Sequence, residues 1–373
     1  MKIIYLIAGT YRPAGMERVL ANKVNWFAER GNDLVVVTTD QCGREHAFPF
    51  HPSVRFVDLG INYEENNGGS FADKLIHFPF KQIRHRRALK ALLESERADV
   101  VVSMFCNDAS FLPSIKDGSK KVLEIHFSRF KRLQYGRRGI WKLADRLRSM
   151  MDLRTVRRFD KFVVLTEEDK SYWGDIPGMT VIPNARTFRP SEPARLDAKT
   201  VIAVGRYTAQ KDFGKLLHAW RIALDKVPGW NLWIVGDGEE RASLERQIET
   251  LGIGPSVRLG KAADGMASVF PEASIPALSS RYEGLPMVLL EAQAYGLPIV
   301  SFECKCGPKD VITDGVDGFL VQEGDVQAMA ENLVRLMSDD GLRHRMGAAA
   351  FAASDRFDES KIMQRWEMLF ERL

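Results

Sequence analysis

The chain has 373 residues, of which 45% are hydrophobic and 27% charged, an ordinary composition for a soluble globular protein without a run of about 18 apolar residues to span a membrane. At about 150 residues per domain, the length predicts two domains or three. Residues 1–190 carry 32 Lys and Arg against 22 Asp and Glu, whereas residues 191–373 carry 21 against 27. The basic first half favours an anionic surface or an acidic substrate as its partner.

Short apolar runs in the first half predict buried β-strands with helices between them. The predicted strands are Ile3–Ala8, Leu34–Thr39, Val54–Asp58, Val100–Ser103, Val122–Ile125, Phe162–Leu165 and Val181–Ile182. Gly15–Arg30 and Lys81–Glu94 are predicted helices. The first strand is too short to be the apolar region of a signal peptide, which predicts a cytoplasmic protein.

The same alternation restarts near residue 200. The second set of strands is Val201–Val204, Leu232–Val235, Val257–Leu259, Ile275–Leu278, Ile299–Phe302 and Phe319–Val321, and the helices are Phe213–Val227, Arg241–Leu251, Pro286–Tyr295 and Val326–Ser338. Strands that are apolar throughout predict parallel sheets covered on both faces. We therefore expect an α/β protein of two facing doubly wound, Rossmann-like domains, with ligand bound in the cleft between them.

The predicted domain boundary falls in residues 184–199, which are poor in apolar residues and contain two prolines. Residues 1–190 would form the first domain and residues 191–357 the second. A C-terminal helix within 358–373 would then pack back on the first domain. The four cysteines have no zinc-site spacing, since Cys304 and Cys306 are separated by one residue, so we expect no metal and a reduced compartment.

Two predicted strand–helix junctions carry residues suited to binding phosphate. The first strand leads into a loop with Gly9 and Gly15, which either holds a phosphate on backbone N–H groups or is a plain turn. In the second half, Arg206 and Lys211 follow Gly205 at the carboxyl end of a strand. Two cations at that position suit a diphosphate, and the alternative is a surface ion pair.

A third junction reads SSRYEGLPMVLLE over residues 279–291. Gly284 permits a tight turn and Pro286 suits a first helical residue, so the N–H groups that follow are available to an anion. Glu283 then lies in the loop, and Glu291 lies about a turn and a half into the helix. The two carboxylates would contact different parts of one extended ligand. Alternatively, Glu283 is an acidic residue at the helix start and Glu291 faces solvent.

These motifs resemble the family 4 retaining glycosyltransferases of the GT-B fold, of the bacterial polysaccharide-assembly type. The resemblance covers most of the chain, and six motifs occur in the family's order. They are Ala14-Gly15-Met16-Glu17-Arg18-Val19, Gly205-Arg206 with Lys211, Val235-Gly236-Asp237-Gly238, the Glu283/Glu291 pair, Tyr295–Val300 and Asp314–Val321, and Ile182-Pro183-Asn184 also matches.

The resemblance implies that residues 1–190 form an acceptor-side domain and residues 191–357 a nucleotide-sugar-binding domain, and it implies a role for each site residue. Arg206 and Lys211 would neutralise the donor diphosphate, Glu283 would contact the donor sugar, and Glu291 would hold the ribose. The phosphate and sugar would be held by backbone at Gly284, Leu285, Pro286, Met287 and Val288, and Gly205 precedes the cationic pair. In the first half, Gly15 would let a loop approach the diphosphate, and His126 matches an active-site histidine or is a core histidine.

The implied reaction transfers a hexose or N-acetylhexosamine from a nucleotide sugar, expected to be UDP-linked, with retention of configuration and without a metal cofactor. The acceptor would be a glycan or a lipid-linked saccharide in the assembly of surface polysaccharide such as lipopolysaccharide or capsule. Two other functions fit a similar fold. A nucleotide-sugar epimerase would turn over the donor without an acceptor, and a sugar-binding protein would bind without catalysis.

Two basic stretches bear on the acceptor. Residues 129–161 hold 12 Lys and Arg against three Asp, with Ile140, Trp141, Leu143, Ala144, Leu147, Met150 and Met151 at helical spacing. A second stretch, residues 81–87, follows Phe78-Pro79-Phe80. Either these are amphipathic helices with a core apolar stripe, or they attract the protein to anionic lipid headgroups at the inner face of the cytoplasmic membrane. No nucleic-acid-binding module accompanies the charge.

Overall fold

A computed structural model of the chain describes residues 1–66, 71–130, 140–187, 190–262 and 266–373, with side chains left undescribed at 66, 71–76, 140–144 and 266. Its strands are β1 (Lys2–Ile7), β2 (Asp33–Thr38), β3 (Arg55–Asp58), β4 (Val100–Ser103), β5 (Lys120–Glu124), β6 (Lys161–Val164), β7 (Met179–Val181), β8 (Thr200–Val204), β9 (Asn231–Val235), β10 (Val257–Gly260), β11 (Ile275–Leu278), β12 (Ile299–Glu303) and β13 (Gly318–Gln322). Each predicted strand is therefore confirmed, with its ends shifted by three residues at most.

The α-helices among the described residues lie between the strands and after the last one. They are α1 (Gly15–Glu29), α2 (Phe71–Glu96), α3 (Ile140–Val156), α4 (Glu167–Trp173), α5 (Phe213–Lys226), α6 (Arg241–Thr250), α7 (Met287–Ala294), α8 (Pro308–Val311), α9 (Val326–Ser338), α10 (Asp340–Ala353) and α11 (Glu359–Glu371). None of these described helices has the length and apolarity that a membrane span needs.

The strands form two parallel sheets. One has seven strands in the order β3-β2-β1-β4-β5-β6-β7, and the other has six in the order β10-β9-β8-β11-β12-β13. In both, the chain starts in the middle and winds outward in the two directions, so the predicted pair of doubly wound α/β domains is confirmed. The strand order reverses between β1 and β4, and again between β8 and β11. Ligands of such sheets bind beside the carboxyl ends of strands at these switch points.

The chain divides into two compact units. Unit 1 contains Met1–Ile182 together with Met363–Leu373, and unit 2 contains Pro183–Ile362. The core of unit 1 is built from the apolar residues of β1, β2 and β4–β6 with Leu89 and Leu93 of α2. The core of unit 2 joins its strands to α5 and α9, with Trp220 as one of its largest fully buried side chains. Strands buried on both faces explain why the sequence runs are apolar throughout.

Several helices depart from the sequence-based expectation. Helix α2 begins at Phe71 and contains Pro79, whereas the prediction began at Lys81. Helix α7 begins at Met287 with Pro286 as the capping residue rather than as the first helical residue. Helices α4 and α10 were not predicted, although each has a side-chain cap, from Thr166 and Asp339 respectively. Their turns lack the periodic apolar stripe on which the prediction relied.

The apolar stripe of α3 was expected to lie in the core, and this is wrong for its members with described side chains. Leu147, Met150 and Met151 are 53%, 58% and 63% exposed. The inward face of this helix is instead formed by Asp145, Leu153 and Val156, which leaves the three residues on the outer face. The other stripe members, within residues 140–144, lie outside the described side chains.

Candidate active site

The loops after β8 and β11 are joined to each other at the switch point of unit 2. The Gln210 amide donates a hydrogen bond to the Tyr282 carbonyl at 2.9 Å, and the Arg281 N–H donates to the Gln210 carbonyl at 2.9 Å. The Ser279 hydroxyl donates to the Lys211 carbonyl at 2.7 Å. The loop that carries the predicted cations is therefore held against the loop that carries the predicted glutamate.

Lys211 and Glu283 form an ion pair within this joint, with Lys211 Nζ 2.7 Å from Glu283 Oε1. The side chains are 17% and 9% exposed, so each charge is largely removed from water. Partial burial strengthens the attraction between opposite charges and makes an unpaired charge costly. The structure thus brings together two residues that the sequence separates by 72 positions.

The start of α7 lies directly after Glu283. Pro286 caps this helix with extended backbone angles, and no side chain in the described part of the chain caps it. The first N–H groups of a helix have no acceptors within the helix, so those of Met287 and Val288 remain available to an anion. Leu285 is buried and Gly284 partly buried. The site predicted from the sequence at this junction therefore has free donors beside a cation and a carboxylate.

The segment Cys304–Gly307 packs against the start of α7, a role that was not predicted from the sequence. The Glu283 N–H donates to the Lys305 carbonyl at 3.3 Å. Gly307 has a φ of 100°, and a Cβ there would lie 2.4 Å from Pro286 Cδ. Only glycine fits this position, because a side chain would displace the cap of α7. The glycine that follows the two cysteines was the available signal for this support.

The loop after β9 backs the Gly205–Lys211 loop in the same way. A Cβ at Gly236 would lie 1.9 Å from the Gly205 carbonyl oxygen, so the two backbones touch. The Tyr207 N–H donates to the Asp237 carbonyl at 2.9 Å, and the Tyr207 hydroxyl donates to the Ile234 carbonyl at 2.8 Å. The Gly-Asp-Gly motif is therefore a support for the cationic loop.

The remaining predicted residues of unit 2 differ in exposure. Arg206 is exposed, and among the described residues it has no recorded hydrogen bond or ion pair. Glu291 is a partly buried residue of α7. The pKa of the Tyr295 phenol is raised, mainly by burial and also by the nearby charge of Glu291. Arg206 is thus available for a ligand. Glu291 lies within two helical turns of the N–H groups of Met287 and Val288.

In unit 1, Gly15 is the exposed first residue of α1, and Ala14 precedes it without a side-chain cap. The preceding loop is fixed from the side. Tyr11 donates a 2.5 Å hydrogen bond to Glu64, and Thr10 Oγ1 lies 2.6 Å from His46 Nδ1. The loop is therefore an ordered feature at the carboxyl end of β1, at the switch point of this unit.

His126 follows β5 by two residues, and its side chain is 6% exposed. Its Nε2 lies 3.2 Å from Glu124 Oε1, and the same oxygen lies 2.5 Å from Lys23 Nζ. Sequence reasoning identified the histidine but neither Glu124 nor Lys23. A buried lysine in a helix gives no local signal, because its partner is 101 positions away in the sequence.

Asp108, in the turn after β4, is a buried carboxylate whose Oδ2 has no hydrogen-bond partner among the described residues. Burial raises its pKa to about 6. The pKa of an aspartate in the unfolded chain is about 3.9, so the folded form binds the proton more tightly and stability is lost as the pH rises through 6.

We expect Asp108→Asn to raise the free energy of unfolding by about 2–3 kcal/mol at pH 8 and to leave it nearly unchanged at pH 4. Denaturant unfolding at both pH values measures this difference. Asp175→Asn is the matched control, because Asp175 is an exposed aspartate of the same unit. An equal effect of Asp108→Asn at both pH values would contradict the assignment.

No cluster of three or more metal-binding side chains occurs within the part of the chain that the structure describes. The sequence-based expectation that the protein needs no metal cofactor stays a prediction.

Comparison with known proteins relates both units to glycosyltransferases. Residues 184–352 match the family model "Glycosyl transferases group 1", and residues 13–186 match "Glycosyltransferase Family 4". An uncharacterized glycosyltransferase of Haemophilus influenzae is 30% identical over 98% of this chain and 99% of its own length.

Two further similarities extend over nearly the whole chain. A Campylobacter jejuni α-1,4-N-acetyl-D-galactosaminyltransferase, named for a diNAcBac-PP-undecaprenol-linked saccharide, is 26% identical over 98% of this chain and 97% of its own. The structure of Anabaena HepE in complex with UDP superposes with a TM-score of 0.75 at 17% identity, covering both chains fully. The latter similarity concerns the fold.

Proposed function

Because the chain belongs to the glycosyltransferases of group 1 and family 4, with the GT-B fold, we propose that it transfers a hexose or N-acetylhexosamine from a UDP-sugar with retention of configuration. The proposed acceptor is a glycan or a lipid-linked saccharide in the assembly of surface polysaccharide. The names of the relatives support this choice, since they include amylovoran and lipopolysaccharide core glycosyltransferases and the Campylobacter enzyme that is named for an undecaprenol-linked saccharide.

The observation that carries the proposal is the Lys211–Glu283 pair at the start of α7. An ammonium group, an exposed guanidinium from Arg206 and two free N–H groups suit the two phosphates of a nucleotide sugar. The neighbouring carboxylate of Glu283 suits the hydroxyl groups of the sugar. When the donor is bound, Lys211 would contact the phosphates and Glu283 would contact the sugar.

The proposed reaction begins with the departure of the diphosphate. Lys211, Arg206 and the N–H groups of Met287 and Val288 stabilise the negative charge that develops on the leaving phosphate. The acceptor hydroxyl attacks on the face from which the diphosphate leaves, so the configuration is retained. Gly15, at the first residue of α1, lets its loop approach the diphosphate, and His126 contacts the donor sugar in this scheme.

The direct test is a panel of nucleotide sugars, with and without saccharide acceptors, in which released nucleotide and sugar products are measured. We expect nucleotide release from UDP-sugars and an α-linked product from an α-linked donor. Turnover of the free donor to its epimer without an acceptor would instead identify an epimerase. Binding without turnover across donors and acceptors would contradict the transferase assignment.

Glu291 provides a prediction about the nucleotide itself. Its proposed partners are the ribose hydroxyls, so Glu291→Ala is expected to raise the Kd for UDP by about 10- to 100-fold, since a hydrogen bond to a charged group contributes about 1.5–3 kcal/mol. Isothermal titration with UDP measures the change. Glu249→Ala is the matched control, because Glu249 is an exposed residue at the end of α6. A Kd for UDP equal to that of the wild type would exclude the ribose contact.

We also propose that unit 1 associates with an anionic membrane surface. The outer face of α3 exposes Leu147, Met150 and Met151 beside Arg146 and Arg148. Helix α2 exposes Phe80 to 70% and also Phe78 and Ile83, beside Arg84, Arg86 and Arg87. This arrangement suits the membrane interface, where apolar side chains enter the acyl-chain region and arginines are attracted by anionic headgroups.

For the membrane proposal, we expect binding to phosphatidylglycerol vesicles and little binding to phosphatidylcholine vesicles. Each cation near the surface contributes about 1 kcal/mol, so Arg86→Gln with Arg87→Gln should weaken binding about thirtyfold. Met150→Ser with Met151→Ser should also weaken it, while Val316→Ser, an exposed apolar residue of unit 2, should not. Binding that persists unchanged at about 0.5 M salt would contradict the electrostatic part.

A further inference from the structure

A buried ion pair lies next to His126 in unit 1. Lys23, on the inner face of α1, is 1% exposed, and Glu124, at the end of β5, is also 1% exposed. The 2.5 Å contact between Lys23 Nζ and Glu124 Oε1 offsets the cost of removing both charges from water. An apolar pair of similar size would fill this space at no such cost, so the charges call for a role beyond packing.

The imidazole of His126 lies against the same carboxylate. Glu124 Oε1 is shared between Lys23 Nζ and His126 Nε2, the latter at 3.2 Å. The Nε2 contact is at ion-pair distance without hydrogen-bond geometry, and Nδ1 of His126 and the second oxygen of Glu124 are likewise buried without a hydrogen-bond partner among the described residues. Glu124 is thus the charged group within ion-pair distance that can fix the orientation of this ring.

The C-terminal helix closes the pair from the other side. The Trp366 ring of α11 lies over Lys23, with Nζ 3.6 Å from the ring centroid. Trp366 is 1% exposed, and Tyr5 of β1 lies farther out, at 6.0 Å from Nζ. A cation over an aromatic face is attracted by the ring, and the indole also excludes water from the ammonium. Trp366 of the C-terminal helix therefore holds Lys23 in place.

We propose that Glu124 is a positioning residue that orients His126, and that Lys23 beneath Trp366 keeps the Glu124 carboxylate in place. This inference rests on the proposed function, in which His126 contacts the donor sugar. In this role Glu124 acts through the imidazole rather than on the sugar. The role resembles that of the carboxylates that fix histidine rings at catalytic and metal sites.

The charge state of Glu124 agrees with this assignment. Burial alone would raise its pKa, but Lys23 and His126 together lower the pKa of Glu124 to about 2. Lys23 and His126 therefore favour the ionised carboxylate, which is a charged partner for the ring.

Two charge-free variants separate positioning from packing. Lys23→Met with Glu124→Gln keeps an oxygen acceptor at the end of the side chain, whereas Lys23→Met with Glu124→Leu removes it. Both lack the buried charges, and denaturant unfolding of each variant compares their stabilities. We expect the Leu variant to have a kcat at least tenfold below that of the Gln variant, with the KM for the donor within twofold. Adding His126→Ala to each should abolish the difference.

Equal kcat values for the Gln and Leu variants would overturn the proposal, and so would a difference that persists after His126→Ala. Should neither variant fold, Glu124→Asp keeps the charge pair and withdraws the carboxylate from the ring. It should then lower kcat severalfold in the wild type and not in the His126→Ala background, and a wild-type kcat would overturn the proposal.

Failure of the proposed function is seen separately. Absence of transfer by the wild type with every donor overturns both assignments. Transfer by the wild type that Glu283→Ala abolishes, together with equal Gln and Leu variants, overturns this inference alone.

Discussion

Glu283→Ala is expected to lower the kcat for sugar transfer by about 10²- to 10³-fold, the cost of removing one preorganised electrostatic group from a site. The carboxylate lies beside the start of α7 and holds Lys211 at 2.7 Å. Its proposed partner is the donor sugar, so its loss affects the bound sugar rather than the nucleotide. The Kd for UDP should therefore stay nearly unchanged. Steady-state kinetics with the donor found by panel screening, and titration with UDP, measure the two quantities.

Two further variants identify the cause of the lower kcat. Glu283→Gln keeps the shape of the side chain and removes the charge, so a similar loss would assign the effect to the negative charge. Glu249→Ala, at an exposed site of α6, controls for the loss of a carboxylate from unit 2. A Glu283→Ala enzyme with normal transfer would exclude Glu283 from the reaction.

Lys211→Ala has the second largest expected effect. The ammonium would neutralise the diphosphate in the ground state and more strongly as the nucleotide leaves. We expect kcat/KM for the donor to fall by about 10²- to 10³-fold. Here the Kd for UDP should rise as well, which distinguishes Lys211 from Glu283. The variant also leaves Glu283 largely buried without its cation, so its thermal stability must be compared with that of the wild type.

Lys211→Met with Glu283→Gln provides the control for stability, because it removes both charges together. It should regain wild-type stability and remain inactive. Arg206→Ala should cost less than Lys211→Ala, since Arg206 is exposed and screened by solvent. If Lys211→Ala changed stability but neither kcat/KM nor the Kd for UDP, the lysine would be only a structural partner of Glu283.

Most strands were predictable because they are buried on both faces and therefore apolar, whereas the edge strands β3 and β10 are mostly exposed or partly buried. The positions of the site loops were predictable for a related reason. A doubly wound sheet reverses its order at the first strand of each unit, and the loops that follow β8 and β11 must meet there. Gly205, Lys211 and Glu283 could thus be assigned to one site before their contacts were known.

Three features could not be predicted, because long-range packing decides them. The direct contact of Lys211 with Glu283 depends on the joint between two loops 72 residues apart. The Lys23–Glu124 pair joins a helix to a strand across 101 residues, and Trp366 completes it from the C-terminal helix. The apolar spacing of α3 fitted a core face, yet tertiary packing placed Leu153 and Val156 inward instead.

A crystal structure of the protein with a UDP-sugar tests most directly whether the start of α7 holds the donor diphosphate. We predict phosphate oxygens within hydrogen-bond distance of the N–H groups of Met287 and Val288 and of Lys211 Nζ. Glu283 should contact the sugar and Glu291 the ribose. A nucleotide sugar bound elsewhere, with the start of α7 unoccupied, would contradict the account.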